Sequence, residues 1–190
     1  DEPLPGRFAR WNFSFFTISL VYLLLSSSDV IMLSFWSDES AVGGYSAASR
    51  LATILMVFCS SFVPFLPKIS RLFHKGEQDQ LGQLYLVITK LIAMLTLPLL
   101  IFFVFFGEHL LVFFGKDFVS FLPVLVVLCF ANLADALTGP IGSLLNMTRY
   151  ERYDMLLVLL CAVMNIIMNA FLIPKWGPLG AAWSTLLAIA

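Results

Sequence analysis

Long apolar runs of nearly one length recur along the chain, separated by short stretches marked by charge, glycine or proline. A bilayer core about 30 Å thick takes about 20 helical residues. Runs that fit this length occupy 13–35, 45–66, 84–106, 121–145 and 155–173, and a sixth begins at 179 and continues to 190. The pattern predicts an all-α fold, a polytopic transmembrane helix bundle of five complete spans plus the start of a sixth, with 1–190 forming a single bundle. A transmembrane barrel is excluded, because its strands would alternate apolar and polar residues over about ten positions. The chain begins without a methionine or a signal-like segment and ends within an apolar run, so it is expected to be a piece of a longer protein.

Basic residues set the expected orientation, since cytoplasmic loops retain them. Arg7 and Arg10 precede the first run, Lys68, Arg71 and Lys75 follow the second, and Arg149 and Arg152 follow the fourth. The alternate connections hold Asp38 and Glu39, then Glu108, Lys116 and Asp117, then Lys175. The segment before the first span is therefore expected on the cytoplasmic side.

Pro98 lies inside the third run and Pro140, next to Gly139, inside the fourth, and both predict kinks where the ring removes a helical hydrogen bond. Small residues four apart, at Gly44 and Ala48, Ala48 and Ala52, and Gly177 and Ala181, predict close helix–helix approach. Asn146-Met147-Thr148 fits a glycosylation sequon but falls at the expected cytoplasmic end of a span, where no glycan is added.

Composition narrows the chemistry. With 60% hydrophobic and 12% charged residues, the chain has too little polar surface for a water-soluble domain, so membrane lipid is its expected surrounding. A net charge of -1 with scattered basic residues gives no footprint for nucleic acid. Cys59, Cys129 and Cys161 lie in apolar runs and imply neither disulfide nor metal site. No nucleophile elbow, phosphate-binding loop or metal-ligand motif occurs, so no enzyme, cofactor or metal is expected. His74 and His109 are expected in loops and solvated, as are Glu77 and Asp79.

Ionisable residues within the runs are the candidate functional groups, because each is costly in hydrocarbon unless it faces a partner or a cavity. They are Asp29, Arg50, Lys90 and Asp135. Asp29 and Arg50 lie at similar depth on consecutive spans and could form an ion pair that fixes helix register, or line a polar cavity. Asp135 has no basic residue at its depth, and Asn132 precedes it on the same helical face. Lys90 lies near enough to the cytoplasmic end of its span to extend its ammonium outward. Asn165 and Asn169, four residues apart, form a polar stripe suited to helix–helix hydrogen bonds or to substrate.

Two segments carry a family likeness. Asp29-Val-Ile-Met-Leu-Ser-Phe, followed by Val42-Gly-Gly-Tyr-Ser-Ala-Ala-Ser-Arg50-Leu51, resembles the polysaccharide flippase pattern of an aspartate ending one helix and VGxYxxAxRL opening the next. The stretch from Asn165 through Asn169, Pro174, Gly177 and Gly180 to Ala182 is similar to that family's N-x-x-x-N-x-x-L-I-P-x-x-G-x-x-G-A-A segment. The chain thus resembles the polysaccharide transporter branch of the multidrug/oligosaccharidyl-lipid/polysaccharide exporter superfamily. Where the related lipid II flippases tend to carry FYAxxDTxTP, this chain has Ser143 to Tyr150 in a different pattern.

The resemblance implies a transporter of two six-helix bundles around a central cavity, with this chain as the second. It implies a bacterial cytoplasmic (inner) membrane, an undecaprenyl-linked oligosaccharide as substrate and flipping by alternating access. Arg50, with Lys90 second, would neutralise the substrate pyrophosphate, and Asp29 would orient Arg50 or serve a coupling ion. Two alternatives stand beside it: a cation-coupled multidrug exporter of the same fold, with Asp135 as its acidic group, and a non-transport membrane assembly subunit.

Overall fold

The apolar run at 84–106 is the middle of a much longer helix, and its burial pattern shows how the chain meets its surroundings. In the computed structural model, which describes residues 27–59, 64–138, 145 and 151–189, a single helix, α4, runs over Gln78–Val112. Its buried positions are Ile88, Ile92, Thr96, Leu100, Phe103, Gly107 and Leu111, spaced by three and four and so forming one stripe. The opposite face exposes Leu86, Val87, Met94, Ile101 and Phe105, with Phe105 at 74%. A continuous apolar face left outward over this length is matched by lipid rather than water.

Among the described residues every regular element is helical. In chain order they are α1 (27–36), α2 (Glu39–Cys59), α3 (Leu66–Lys75), α4, a 3₁₀ turn (Lys116–Phe121), α5 (Leu122–Thr138), α6 (Glu151–Trp176) and α7 (Pro178–Ile189). Three stretches are long and apolar enough to cross a membrane: Gln78–Val112, Lys116–Thr138 and Tyr153–Trp176. These establish a polytopic helical membrane protein.

The expected boundaries shift in informative ways. α2 starts at Glu39, six residues before the expected span, and the part from Glu39 to Arg50 carries Glu39, Ser40, Gly43, Gly44, Ser46, Ser49 and Arg50. Those residues dilute its hydropathy relative to the other long helices. Leu66, expected to end the second span, instead opens α3, where Ile69 and Leu72 are buried and Lys68, Arg71 and Lys75 are exposed. The expected basic loop is thus an amphipathic helix, and Gly76 stops it with φ 73°. α4 has 35 residues, about 52 Å at the helical rise, and so extends well beyond a hydrocarbon core. His74 and His109, expected in loops, stand exposed within α3 and α4.

α4 continues through Pro98 unbroken. Pro98 deprives the Met94 carbonyl of its helical donor. Pro174 lies inside the last turn of α6, which runs to Trp176 rather than stopping at 173. The helix stops because Gly177 takes φ 56° and Pro178 starts α7. Pro140, the Asn146-Met147-Thr148 segment, Arg7, Arg10, Arg149 and the first part of the 13–35 run lie outside the described residues.

Small residues bring the helices together as their spacing suggests, with one exception. Gly44 sits under the Phe121 ring, and a Cβ there would fall 2.2 Å from it. Ala48 and Ala52 are buried in the main core with Leu55, Leu125 and Leu128, joining α2 to α5. Gly180 lies against the Leu172 carbonyl oxygen, 2.3 Å from where a Cβ would be, so α7 crosses α6 at backbone contact. Gly177 is the exception: nothing lies within 4 Å of its Cβ position, and its role is the left-handed turn. A second core, Ile69 with Ile88, Ile92 and Ala136, fastens α3 to α4 and α5.

Candidate functional site

A polar stripe runs through the buried face of α6. Its buried positions are Asp154, Val158, Ala162, Asn165, Asn169 and Ile173, again spaced by three and four, so the two asparagines occupy the middle of a core stripe. Both are essentially solvent-free, at 1% and 0% exposure. Burying two carboxamides costs several kcal/mol unless they find partners, at about 1–3 kcal/mol for each unmatched group. α6 presents them to α1 and α7, which supply those partners.

Asp29, 7% exposed on α1, is the centre. Its Oδ1 accepts from Asn169 Nδ2 at 2.6 Å, and its Oδ2 accepts from Tyr45 Oη on α2 and Thr185 Oγ1 on α7, each at 2.6 Å. Asn169 Nδ2 also donates to Asn165 Oδ1 at 3.0 Å, which receives Ser28 Oγ at 2.9 Å. Asn165 Nδ2 reaches Thr185 Oγ1 at 3.4 Å. Four helices are thereby tied to one carboxyl group. Asn169 Oδ1 remains buried without a hydrogen-bond partner.

The network forms one wall of a cavity of about 230 Å³. Asp29, Tyr45, Asn165 and Thr185 line it together with Ser49 on α2 and Asn132 on α5. Ala52, Leu128, Ala188 and Ile189 make the rest of the lining apolar, and the oxygens of the polar wall suit a hard cation or hydroxylated groups. Among the described residues no three His, Cys, Asp or Glu side chains converge, so they form no transition-metal site.

The six candidate residues separate into two sets. Asp29, Asn165 and Asn169 meet in this cluster. Arg50, Lys90 and Asp135 do not join it; all three are exposed. No ion pair joins Asp29 to Arg50 among the described residues, so of the two readings of their similar depth the ion pair is not formed, while Asp29 does line a cavity. The reason is helical phase: Tyr45 faces Asp29, and five residues further on Arg50 has turned about 140° away. Lys90 stands between Ile88 and Ile92, which face α3, and so points to the other side of α4. Asp135 is one turn beyond Asn132 on α5, outside the cavity lining.

Tyr45, Thr185 and Ser28 complete the cluster without being among the six candidates. Tyr45, Ser49 and Thr53 recur every four residues and mark the cavity face of α2. Hydroxyls in membrane helices are a weak signal, because they also bond their own backbone, as Thr53 does to the Ser49 carbonyl at 2.8 Å.

Comparison with known proteins agrees with the motif likeness. A family model for polysaccharide biosynthesis proteins matches residues 7–123. The chain is 26% identical over 187 residues to the probable low-salt glycan biosynthesis flippase Agl15 of Haloferax volcanii, covering 95% of this chain and 39% of that protein. It is 27% identical over 168 residues to the probable flippase AglR of the same organism, covering 85% and 35%. The chain therefore spans well under half the length of these curated relatives, and both come from an archaeon. No solved structure matches. With more than half of its residues matched by the family model and its motifs resembling the polysaccharide flippases, the chain belongs to the polysaccharide biosynthesis protein family of membrane proteins.

Proposed function

We propose that the full-length protein flips a lipid-linked oligosaccharide across a cytoplasmic membrane by alternating access, and that this chain is the second of its two bundles. α1 and α2 then cross the membrane beside the three evident spans, and α7 begins the sixth. The observation that carries the reading is a buried carboxyl group that ties four helices together and forms part of the polar wall of a cavity, within a bundle whose outer faces suit lipid. A passive assembly subunit has no use for such a costly interior. The family match and the flippase relatives support sugar-lipid cargo over drugs.

Within that mechanism Asp29 serves the coupling ion. Its direct partners are two hydroxyl oxygens, Tyr45 Oη and Thr185 Oγ1, and the Asn169 amide nitrogen, with the Asn165 amide oxygen one hydrogen bond further on. The Asn169 N–H donors now occupy the place a cation would take, while its oxygen is unmatched. Turning that amide over by 180° exchanges donor for acceptor and gives one carboxylate ringed by neutral oxygens, which suits a monovalent cation or a proton. Binding there would reset the hydrogen bonds of four helices at once, which is the link alternating access requires.

Arg50, exposed on the far side of α2, is free to meet the pyrophosphate of a substrate held between the bundles. In cells that depend on the full-length protein for surface polysaccharide, Arg50→Lys should retain part of the export and Arg50→Ala almost none, at equal membrane abundance. Full export by Arg50→Ala would remove this residue from the substrate path.

A further inference from the structure

The outer side of α6 and α7 carries a second cavity, on the face of α7 opposite the Asp29 cluster. Trp183 and Leu187 lie two residues either side of Thr185, about 160–200° round the helix from it. With Met168, Phe171, Leu172 and Trp176 of α6 they line an apolar groove of about 540 Å³. Its origin is the tight turn at Gly177, which lets Gly180 touch the Leu172 carbonyl and leaves the larger side chains splayed along the joint.

One end of the groove is marked by different chemistry. Lys175, exposed, stands one turn after Phe171 and beside Trp176, and among the described residues it makes no ion pair. Trp176 and Trp183 are 57% and 37% exposed, with indole N–H groups that meet no hydrogen-bond acceptor among the described residues. The first turn of α7 adds its N-terminal positive partial charge at the same joint. Indoles with a lysine at a helix end are the arrangement that matches the headgroup level of a bilayer. Phe171, Leu172, Met168 and Leu187 supply the adjoining hydrocarbon surface.

We propose that this groove is a binding site for an anionic membrane glycerophospholipid, its phosphate on Lys175 and the indole N–H groups and one acyl chain along the α6–α7 joint. The positive charge of Lys175 favours a headgroup of net negative charge, and the apolar lining favours an acyl chain. The site depends on the chain being in a membrane and not on the flippase reading.

The test uses the full-length protein in neutral detergent, incubated with phosphatidylglycerol or with diacylglycerol of the same chains. Lipid retained through gel filtration is counted by mass spectrometry. Other lipid-facing surfaces contribute a background, so the quantity read is the change on substitution. Lys175→Gln should lower the phosphatidylglycerol held at the site about fivefold, the effect of one basic residue on an anionic headgroup, and leave diacylglycerol unchanged. Leu187→Trp, which fills the groove at a lipid-facing position, should displace the phospholipid while Lys175 is intact. Unchanged phosphatidylglycerol in either variant, or equal loss of both lipids in Lys175→Gln, overturns the proposal. So does complete displacement of phosphatidylglycerol by equimolar polyprenyl phosphate, which would assign the groove to the carrier lipid.

Discussion

Asp29 illustrates what a membrane interior demands of a carboxyl group. It satisfies itself with a phenol, a carboxamide and a hydroxyl rather than with an arginine. Removing the phenol leaves one Asp29 oxygen short of a donor in a buried site, so Tyr45→Phe should destabilise the full-length protein by about 1–3 kcal/mol. Arg50→Gln should leave stability unchanged, since Arg50 takes no part in the network. Thermal unfolding of both variants in detergent checks the pair, and a loss for Arg50→Gln equal to that for Tyr45→Phe would contradict the geometry. The sequence made Asp29, Asn165 and Asn169 legible, because ionisable or carboxamide groups in apolar runs are conspicuous. It could not supply their partners: contact depends on the angle at which each side chain leaves its helix and on which helices adjoin, and neither is written in the residue spacing within one run.

At the scale of the elements, glycine and proline did more than the apolar runs to fix where helices begin, end and touch. The α6–α7 joint depends on Gly177 for its left-handed turn and on Gly180 for backbone contact with Leu172. Gly180→Ala puts a Cβ 2.3 Å from the Leu172 oxygen, which must be relieved by moving α7. The expected cost is about 1–3 kcal/mol. Because the same movement draws Thr185 from Asp29, a loss of transport larger than the loss of stability should accompany it. A Gly180→Ala protein with unaltered melting temperature and export would show that the two helices are not in backbone contact. The helical class and most run positions were legible from hydropathy, whereas α3 was not. Its ten residues are too few for a span and too basic for a core, so only the contact of Ile69 with Ile88 and Ile92 reveals it as an element.

On the scale of the whole molecule, the connections divide between two ends. Gly43 and Gly44 meet Phe118 and Phe121, so the start of α2 and the 3₁₀ turn share one end. Tyr85 donates to the Thr138 carbonyl, placing the start of α4 beside the end of α5 at the other. The basic residues of α3 lie at this second end, which we propose, from the charge bias, to be the cytoplasmic one. Single cysteines at Asp38 and Lys116 should therefore react with an impermeant thiol reagent applied to intact cells, and one at Gln78 should not. All three positions are exposed, so silence reports sidedness rather than burial. Labelling at Gln78 alone would invert the arrangement.

The central claim is that an ion held at Asp29 drives the flipping of a lipid-linked oligosaccharide. It is tested most directly with the full-length protein in liposomes containing a fluorescent polyprenyl-diphosphate oligosaccharide, with flipping read as protection from an external quencher. Sodium and proton gradients are imposed separately. The account predicts that one of them accelerates flipping, and that Asp29→Asn abolishes the acceleration while leaving the protein folded and inserted. Flipping that responds to neither gradient, or a gradient response undiminished in Asp29→Asn, would contradict it.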